Sequence, residues 1–337
     1  MNETRPGPDG SIELITDFSL QSYVVIGRLY RLTLEALGLN VNERPLTDES
    51  NLNDFKNKWA LSNTIGPRFT PVPGAFNIAL PAHEWSRYPE EWVNRLNRFD
   101  EIWTTTDHVK ILLEASGVKA PVFKMPPALD IDDAHQKSDW RPNGPFRFFS
   151  CGEAHFRKGF HLLMAGFMRA FPEPGSATLT IKTSPDCGWI SPREDIKIEI
   201  TKMDRGDLLN VYSTYDAYIS ASLGEGLGLP VTEAILAMTP VTANCWGGHA
   251  SILTDGGYWR IKHEEAPQLF CSNPGYYAEG QKCAYSSPDR ISAALRDVYE
   301  ASADERRARA EKARDYLLAN YGIEKVREAF RKKFNLR

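Results

Sequence analysis

Residues 215–236 run from a strand-like segment through a glycine-rich turn, SLGEGLGL, into a helix-like segment. Gly224, Gly226 and Gly228 carry no Cβ, so the backbone of this turn can pass close to a ligand. The start of the following helix presents unpaired N–H groups and the positive end of the helix dipole, which favour a phosphate. The stretch therefore predicts a parallel α/β fold that binds its ligand at the carboxyl end of a strand.

Two glutamates, Glu225 and Glu233, accompany these glycines. Glu233 lies in the first turns of the predicted helix, where its carboxylate can accept two hydrogen bonds from a ribose diol. Glu225 lies in the turn itself and would face the other end of the ligand. Pro230 suits the first helical turn. The arrangement predicts a nucleoside diphosphate that carries a hydroxyl-rich group.

The glycine-rich turn also permits other interpretations. A dinucleotide fingerprint would read G-x-G-x-x-G, whereas GEGLGL gives G-x-G-x-G and no acidic residue closes the next strand. The glycines could instead serve a tight turn alone. A second loop, SCGEAHFRKGF (150–160), favours the nucleotide interpretation. There Arg157 and Lys158 stand at a predicted helix start, where cations are unfavourable unless they meet an anion such as a diphosphate.

Strand-like and helix-like runs alternate through both halves of the chain, which predicts parallel sheets covered by helices. The segment DIDDAHQKSDWRPNGP (130–145) is polar, contains two prolines and a glycine, and is interpreted as a linker between the halves. The predicted strands are 12–18, 76–82, 101–106, 121–126, 146–152, 177–183, 196–200, 215–222 and 240–245.

Apolar spacing predicts two of the helices. Segment 107–117 can be capped by Thr106 or Asp107 and ended by Gly117. Segment 159–171 carries an apolar stripe, which predicts packing against the core rather than a cofactor site. The stripe comprises Phe160, Leu163, Met164, Phe167 and Phe171.

Charge and cysteine content narrow the function classes. The net charge of −4 argues against a dedicated nucleic-acid binder. Residues 301–337 nevertheless carry 11 Lys or Arg against 6 Asp or Glu, which leaves contact with anionic lipid or a polyanionic acceptor open. No apolar run reaches the roughly 18 residues that a membrane span needs. Five scattered cysteines without a CxxC pair predict reduced thiols and a cytoplasmic protein, with peripheral membrane contact as a further option.

Four stretches occur in a family-specific order: SCGEAHFRKG, YISAS, EGLGLPVTEA and TPVTANCWGGHASIL. With them the chain resembles the retaining glycosyltransferases of family 4 (glycosyl transferases group 1), which have the GT-B fold. The likeness covers about residues 150–315, and 83–110 is similar to the family's stretch before the linker. The resemblance implies an α/β chain of two Rossmann-like domains that face each other across a cleft.

The resemblance also implies a domain plan. Residues 1–140 would form the acceptor domain, and residues 141–315 the nucleotide-sugar-binding domain. Residues 316–337 would form a C-terminal helix that packs back on the first domain. Two departures from the family pattern are present. Glu153 stands where the family usually has arginine, and the first loop contains only Gly27.

Catalytic roles follow from the resemblance. Lys158 and Arg157 would grip the diphosphate, and Glu225 would hydrogen-bond the donor sugar. His83 would lie across the cleft near the sugar, with Glu84 on the acceptor side. Donor-binding residues implied by the family are Glu233 for the ribose, the backbone of Gly226, Leu227, Gly228 and Leu229, and Lys182, Gly247 and Gly248.

The expected activity is transfer of a sugar from a nucleoside diphosphate sugar to a hydroxyl group, with retention of the anomeric configuration. Asp130 and Asp132 spell D-x-D, a metal-diphosphate motif of another glycosyltransferase fold, but the cationic grip predicts that no metal is needed. No cofactor is implied, because the nucleotide sugar is the donor substrate.

Alternatives are a GT-B nucleotide-sugar epimerase, a DNA-base-modifying glycosyltransferase and a non-catalytic sugar-nucleotide-binding module. The acceptor is left open among a glycan, a lipid-linked glycan, a small molecule, a protein and modified nucleic acid.

Overall fold

The computed structural model of the chain divides into two compact α/β units. Unit 1 comprises the described residues within 1–131, 273–280 and 318–337, and unit 2 those within 132–272 and 281–317. The structure describes residues 11–46, 59–131, 134–141, 143–183, 188–268 and 276–336.

Strands and helices alternate along both units. The strands are β1 (Ser11–Thr16), β2 (Asn40–Pro45), β3 (Trp59–Asn63), β4 (Phe76–Ala79), β5 (Glu101–Thr104), β6 (Val122–Lys124), β7 (Phe146–Cys151), β8 (Ala177–Thr183), β9 (Ile196–Ile200), β10 (Ala217–Ser220), β11 (Val241–Ala243), β12 (Trp259–Arg260), β13 (Glu264–Pro267) and β14 (Lys282–Tyr285). The helices are α1 (Gln21–Glu35), α2 (Glu90–Leu96), α3 (Asp107–Ala115), α4 (Phe160–Ala170), α5 (Arg205–Tyr212), α6 (Leu229–Leu236), α7 (His249–Ile252), α8 (Pro288–Glu300), α9 (Ala303–Tyr321) and α10 (Ile323–Phe334).

Unit 1 contains a parallel sheet in the order β2-β1-β3-β4-β5-β6. The chain moves from β1 to β2 on one side and then to β3 on the other, so the strand order reverses between β1 and β3. Helix α10 packs on this sheet. Its Val326, Phe330 and Phe334 are buried in the same apolar cluster as Tyr30 and Trp103. The residues of α10 therefore form part of the core of unit 1.

Unit 2 contains a parallel sheet in the order β12-β11-β10-β7-β8-β9, and its strand order reverses between β7 and β10. Strands β13 and β14 pair separately as an antiparallel ribbon. The predicted stripe of α4 packs into the core of this unit: Phe160, Leu163, Phe167 and Phe171 are buried, and Met164 packs against the same cluster. The core role of this stripe is confirmed.

Each predicted strand overlaps an observed one, and β8 and β9 match the predicted 177–183 and 196–200 in full. Other predicted strands extend beyond the observed strand ends, because their last residues make hydrogen bonds outside the sheet. Thr106, predicted as strand or cap, accepts a hydrogen bond from the N–H of Val109 and starts α3. Gly159 adopts a left-handed conformation (φ 66°) and precedes α4.

The predicted linker is in part docked on unit 2. Its described residues 134–141 form no helix or strand, but Lys137 is buried. The Lys137 N–H donates to the carbonyl of Ala237 at 2.9 Å, and its Nζ donates to the carbonyl of Tyr215 at 2.8 Å. Asp216 lies 3.6 Å from the same Nζ. Residues 134–141 are thus an anchored strap rather than a free linker.

The D-x-D motif is only partly described. Asp130 accepts a hydrogen bond from the N–H of Ile323 at 2.7 Å, at the start of α10. Asp132 lies outside the described residues, as do Cys187 and Cys271. Within the described ranges, no group of three or more His, Cys, Asp or Glu could hold a metal ion. No described helix combines the length and apolar character that crossing a membrane requires.

Candidate functional site

The candidate site is a pocket in unit 2 at the carboxyl ends of β7 and β10. Ser150 and Cys151 line it from β7, and Tyr218 and Ser220 line it from β10. The strand order of the sheet reverses between these two strands. Ligands of open parallel sheets bind in the crevice that such a reversal creates. The fold thus places the pocket at the position where a ligand is expected.

Glycines bring the loops around the pocket into close contact. At Gly159 an added Cβ would lie 2.1 Å from the carbonyl oxygen of Ala221, and at Gly248 it would lie 2.4 Å from the Gly226 carbonyl. At Gly228 (φ +91°) it would lie 2.5 Å from Cδ2 of His249. The predicted close approach is present, but its partners in the described residues are other loops of the protein. The glycines fix the shape of the pocket wall.

Two cations and one carboxylate form the charged centre of the pocket. Lys158 Nζ lies 2.6 Å from Oε1 of Glu225, and Arg157 Nη1 lies 3.0 Å from Oε2. Ser222 Oγ donates to Oε1 at 2.8 Å. Burial alone would raise the pKa of Glu225, but Lys158 and Arg157 lower it far below its usual value, so the carboxylate stays ionised.

The loop after β7 explains why cations stand at a helix start. Residues 156–158 form a single 3₁₀ turn whose first N–H groups are capped by His155, which accepts from the N–H of Arg157. Arg157 Nη1 also donates to the carbonyl of Gly224 at 2.7 Å. The anion that the sequence analysis required for these cations is, in the described residues, Glu225.

Glu233 is buried in α6 and held by two donors. Arg205 Nη1 donates to Oε1 at 2.7 Å, and the hydroxyl of Tyr212 donates to Oε2 at 2.7 Å. Both donors come from α5. The Tyr212 oxygen also lies 3.0 Å from Cys151 Sγ, and burial raises the pKa of that thiol to about 12. The network fixes the direction of the Glu233 carboxylate through neutral and cationic donors.

His249 is a further titratable group at the pocket. Its Nδ1 lies 3.2 Å from the carbonyl oxygen of Asn244, and its side chain is 1% exposed. Burial lowers the pKa of His249 to about 4, although nearby Glu225 raises it. The imidazole is therefore neutral at pH 7.

The other predicted residues occupy different places. Lys182 follows the register of β8 beside Cys151, and its carbonyl accepts from the N–H of Gly152 at 3.1 Å. His83 belongs to unit 1, where its Nε2–H donates to the carbonyl of Arg87 at 2.5 Å. The His83 ring also packs edge-on against Tyr88 and Trp92. A catalytic role of His83 stays a prediction.

The backbone positions surround the pocket loops. Leu227 is buried, and Leu229 is the first residue of α6. Gly247 takes a left-handed conformation (φ 63°), and the N–H of Gly248 donates to the carbonyl of Glu225 at 2.6 Å. Glu84 lies in unit 1, half-buried and close enough to Tyr23 to raise that group's pKa after the larger effect of burial.

The sequence analysis assigned no role to several contact residues. Arg205 and Tyr212 lie 28 and 21 positions before Glu233, so no local spacing pointed to them. Ser222 was read as the end of a strand, yet its hydroxyl bonds Glu225. The position of Ser222 at the end of the predicted strand was the signal that could have identified it, because a hydroxyl group at the carboxyl end of a strand can hydrogen-bond the following loop.

Solved structures resemble the whole chain at low identity. HepE from Anabaena, in complex with UDP and glucose, has a TM-score of 0.67 at 11% identity, covering 96% of this chain and 99% of HepE. An E. coli trehalose-6-phosphate structure bound with UDP-2-fluoro glucose has a TM-score of 0.67 at 10% identity, with coverages of 97% and 99%. TarM from S. aureus, in complex with UDP, has a TM-score of 0.60 at 12% identity. The match covers 82% of this chain and spans 55% of the length of TarM.

These similarities establish the fold. The two parallel α/β units have the GT-B architecture that the sequence predicted. No protein-family model matches the chain, and no curated protein matches it by sequence.

Proposed function

We propose that this chain is a retaining glycosyltransferase that moves a sugar from a nucleoside diphosphate sugar to a hydroxyl group without a metal ion. The observation that carries the proposal is the pairing of Lys158 and Arg157 with Glu225 beside the start of α6. Three structurally similar proteins bind UDP or a UDP sugar, which makes UDP-glucose the first donor to test.

Donor binding uses the two cations. Their side chains are 13% and 17% exposed, so a diphosphate that reaches them leaves most of its water behind. Two charge-assisted contacts and the positive end of the α6 dipole then compensate the lost hydration. Glu225 gives up part of its contact with Lys158 and turns its oxygens to the hydroxyl groups of the sugar.

Glu233 binds the ribose. The carboxylate retains acceptor capacity beyond Arg205 and Tyr212, since two carboxylate oxygens offer about four lone-pair positions. Arg205 balances the charge of the carboxylate, and both donors fix its orientation. The two glutamates thus contact different parts of the donor: Glu225 contacts the sugar and Glu233 the ribose. They are eight residues apart in the sequence, with glycines of the turn between them.

The chemical step breaks the bond between C1 of the sugar and the phosphate oxygen. The electron pair of that bond goes to the diphosphate, whose growing charge Lys158 and Arg157 stabilise. The acceptor oxygen forms its bond to C1 on the same face, and its proton passes to the leaving phosphate oxygen. Retention then requires no nucleophilic side chain. The oxocarbenium-like transition state resembles that of glycoside hydrolysis.

Ligand-induced stabilisation tests donor binding. UDP, GDP, ADP and dTDP, each alone and as the glucose conjugate, are added in EDTA and then in Mg²⁺, and the thermal midpoint is measured. UDP and UDP-glucose should raise the midpoint in EDTA, because a ligand that binds only the native state stabilises it. No shift with any nucleotide would overturn the proposal.

A matched pair of variants tests the site. Glu233→Gln should weaken UDP binding about tenfold or more, because the ribose loses a charged acceptor. Glu194→Gln removes an exposed carboxylate on the loop before β9 and should change nothing. Transfer from UDP-glucose is then followed by NMR with a panel of hydroxyl acceptors. An inverted anomeric product would overturn retention, and activity only with Mg²⁺ would overturn metal independence.

A further inference from the structure

His249 has a defined tautomer. A backbone carbonyl is only an acceptor, so the contact between Nδ1 of His249 and the carbonyl oxygen of Asn244 (3.2 Å) requires the proton on Nδ1. Because the buried ring is neutral at pH 7, its Nε2 then carries a lone pair and no proton. The ring presents a hydrogen-bond acceptor on its Nε2 side.

That acceptor has no partner. Nε2 of His249 is buried and receives no hydrogen bond from any of the described residues. The side chain lines the pocket together with Glu225, Lys158 and Gly228. The missing Cβ of Gly228 admits the ring, since that atom would lie 2.7 Å from Nε2. A buried acceptor without a donor destabilises a core and is rarely retained without a ligand or water to satisfy it.

The neighbours of the His249 ring indicate which part of a bound ligand it would contact. The charged groups that act on His249 are Glu225, Lys158 and Arg157, all at the diphosphate and sugar end of the pocket. Glu233, which would take the ribose, is not among the described residues that line the pocket beside His249. Gly248, whose N–H bonds the Glu225 carbonyl, immediately precedes the histidine. His249 therefore lies on the Glu225 side of the pocket, which the proposed function assigns to the sugar.

We infer that Nε2 of His249 accepts a hydrogen bond from a hydroxyl group of the transferred sugar and so selects the donor sugar. The inference rests on the proposed function. A phosphate does not fit this position, because phosphate oxygens offer no proton and would face the lone pair of a neutral ring. A hydroxyl group donates the proton that Nε2 lacks, and its oxygen can accept a bond from Lys158 in turn.

The difference between UDP and UDP-glucose isolates the sugar contact. Their dissociation constants are measured by calorimetry for the wild type, His249→Leu and His249→Gln. In His249→Leu, UDP-glucose affinity should fall about tenfold while UDP affinity stays within about twofold. His249→Gln should keep most of the UDP-glucose affinity, because its amide oxygen can replace Nε2 as the acceptor. Equal loss in both variants, or equal loss for UDP and UDP-glucose, would overturn the inference.

Deoxy donors test the same contact without changing the protein. One of the 2-, 3-, 4- and 6-deoxy analogues of UDP-glucose should bind the wild type about tenfold more weakly than UDP-glucose, and this penalty should vanish in His249→Leu. Deoxy penalties that are identical in wild type and His249→Leu would overturn the inference and indicate that water satisfies Nε2.

His161→Leu is the matched control. His161 also has a buried ring nitrogen without a hydrogen-bond partner among the described residues, but it stacks on Phe156 outside the pocket. The control should leave the ratio of UDP to UDP-glucose affinity unchanged. If the wild type binds none of the four nucleoside diphosphates and none of their glucose conjugates, the proposed function itself fails. If UDP binds and the variants do not alter sugar discrimination, only the role of His249 fails.

Discussion

The two sheets reverse their strand order at equivalent places but surround those places differently. In unit 1 the loop after β1 carries Asp17, which accepts bonds from Ser19, Thr64 and Arg68. In unit 2 the loop after β10 carries Glu225, bonded to Ser222, Lys158 and Arg157. Arg68 is 49% exposed, whereas the two cations of unit 2 are largely buried.

The reversal of strand order creates a crevice in both units, and the residues of the surrounding loops determine which ligand each crevice can bind. At the β7–β10 reversal, two buried cations, an orphan histidine nitrogen and close-packed glycines surround the same carboxylate. At the β1–β3 reversal, one half-exposed arginine and two hydroxyl groups hold the acid. The unit 2 site is therefore suited to a diphosphate, whereas the described residues of the unit 1 site lack the concentrated positive charge that a diphosphate requires. Four paired variants test this difference.

The largest expected effect is on turnover. Lys158→Met should lower turnover with UDP-glucose about 10²- to 10³-fold, because it removes a cation from the leaving diphosphate and leaves Glu225 with one cation fewer. Arg68→Met breaks the matching pair in unit 1 and should cost at most about 1 kcal/mol of stability, since Arg68 is half-exposed. A comparable loss of turnover in Arg68→Met would show that both reversals serve donor chemistry.

The second effect is on the pH dependence of stability. The pKa of His249 falls from 6.5 unfolded to about 4 folded, so the unfolded chain binds the proton more tightly and stability declines as the pH falls from 6.5 toward 4. His249→Leu should remove on the order of 3 kcal/mol of that decline. Chemical denaturation at pH 7.0, 5.5 and 4.5 measures it.

Only the difference between wild type and variant is diagnostic here, because His108, His161 and His263 also have lowered pKa values. Asp17→Asn provides the unit 1 counterpart. Burial raises the pKa of Asp17, but its bonds to Ser19 and Arg68 lower it below 3.8 overall, so its stabilising effect is lost only as the pH falls below about 4. A decline between pH 6.5 and 4.5 that is as large in His249→Leu as in the wild type would contradict the neutral-ring assignment.

The third effect concerns glycine. Gly228→Ala should destabilise the protein by about 2–3 kcal/mol, because alanine resists a positive φ and its Cβ would collide with His249. Gly27 in α1 lies at the β1–β3 reversal, where a Cβ would meet the side-chain ends of Thr16 and Asn63. Gly27→Ala should cost less, since alanine favours the helix by up to about 1 kcal/mol. The thermal midpoints of the two variants measure these losses of stability, and equal losses would contradict the expected difference between Gly228 and Gly27.

The smallest effect concerns the serines. Ser222 is 1% exposed and donates to Glu225, so Ser222→Ala should cost about 1–2 kcal/mol and leave a buried carboxylate oxygen less satisfied. Ser19 makes the equivalent bond to Asp17 but is exposed, and Ser19→Ala should cost about 0.5 kcal/mol or less. Denaturant titration distinguishes these values. A larger loss of stability in Ser19→Ala than in Ser222→Ala would contradict the expectation that the buried hydrogen bond contributes more.

Sequence patterns predicted unit 2 better than unit 1, for identifiable reasons. Strands β8 and β9 are apolar runs bounded by turn residues, and their limits match in full. Strand β2, NVNERP, is a polar edge strand and gave no signal. Helix α1 begins after Leu20 with no side-chain cap and no acid in its first turn, so the usual start signals are missing.

The pairing of charges at the site could not be read from the sequence. Motif spacing predicted Lys158, Glu225 and Glu233 as site residues, and that assignment stays a prediction. The bond between Lys158 and Glu225 joins residues 67 positions apart, and sheet order brings them together. The tautomer of His249 likewise depends on a carbonyl that tertiary structure brings to the ring.

The position of α10 determines when each unit can finish folding during synthesis. Val326, Phe330 and Phe334 complete the core that contains β1, although a ribosome makes them only after all of unit 2, which ends at residue 317. Unit 1, whose strands leave the ribosome first, therefore completes its core last. Until α10 arrives, the apolar surface around Trp103 stays uncovered, a period in which a nascent chain depends on chaperones.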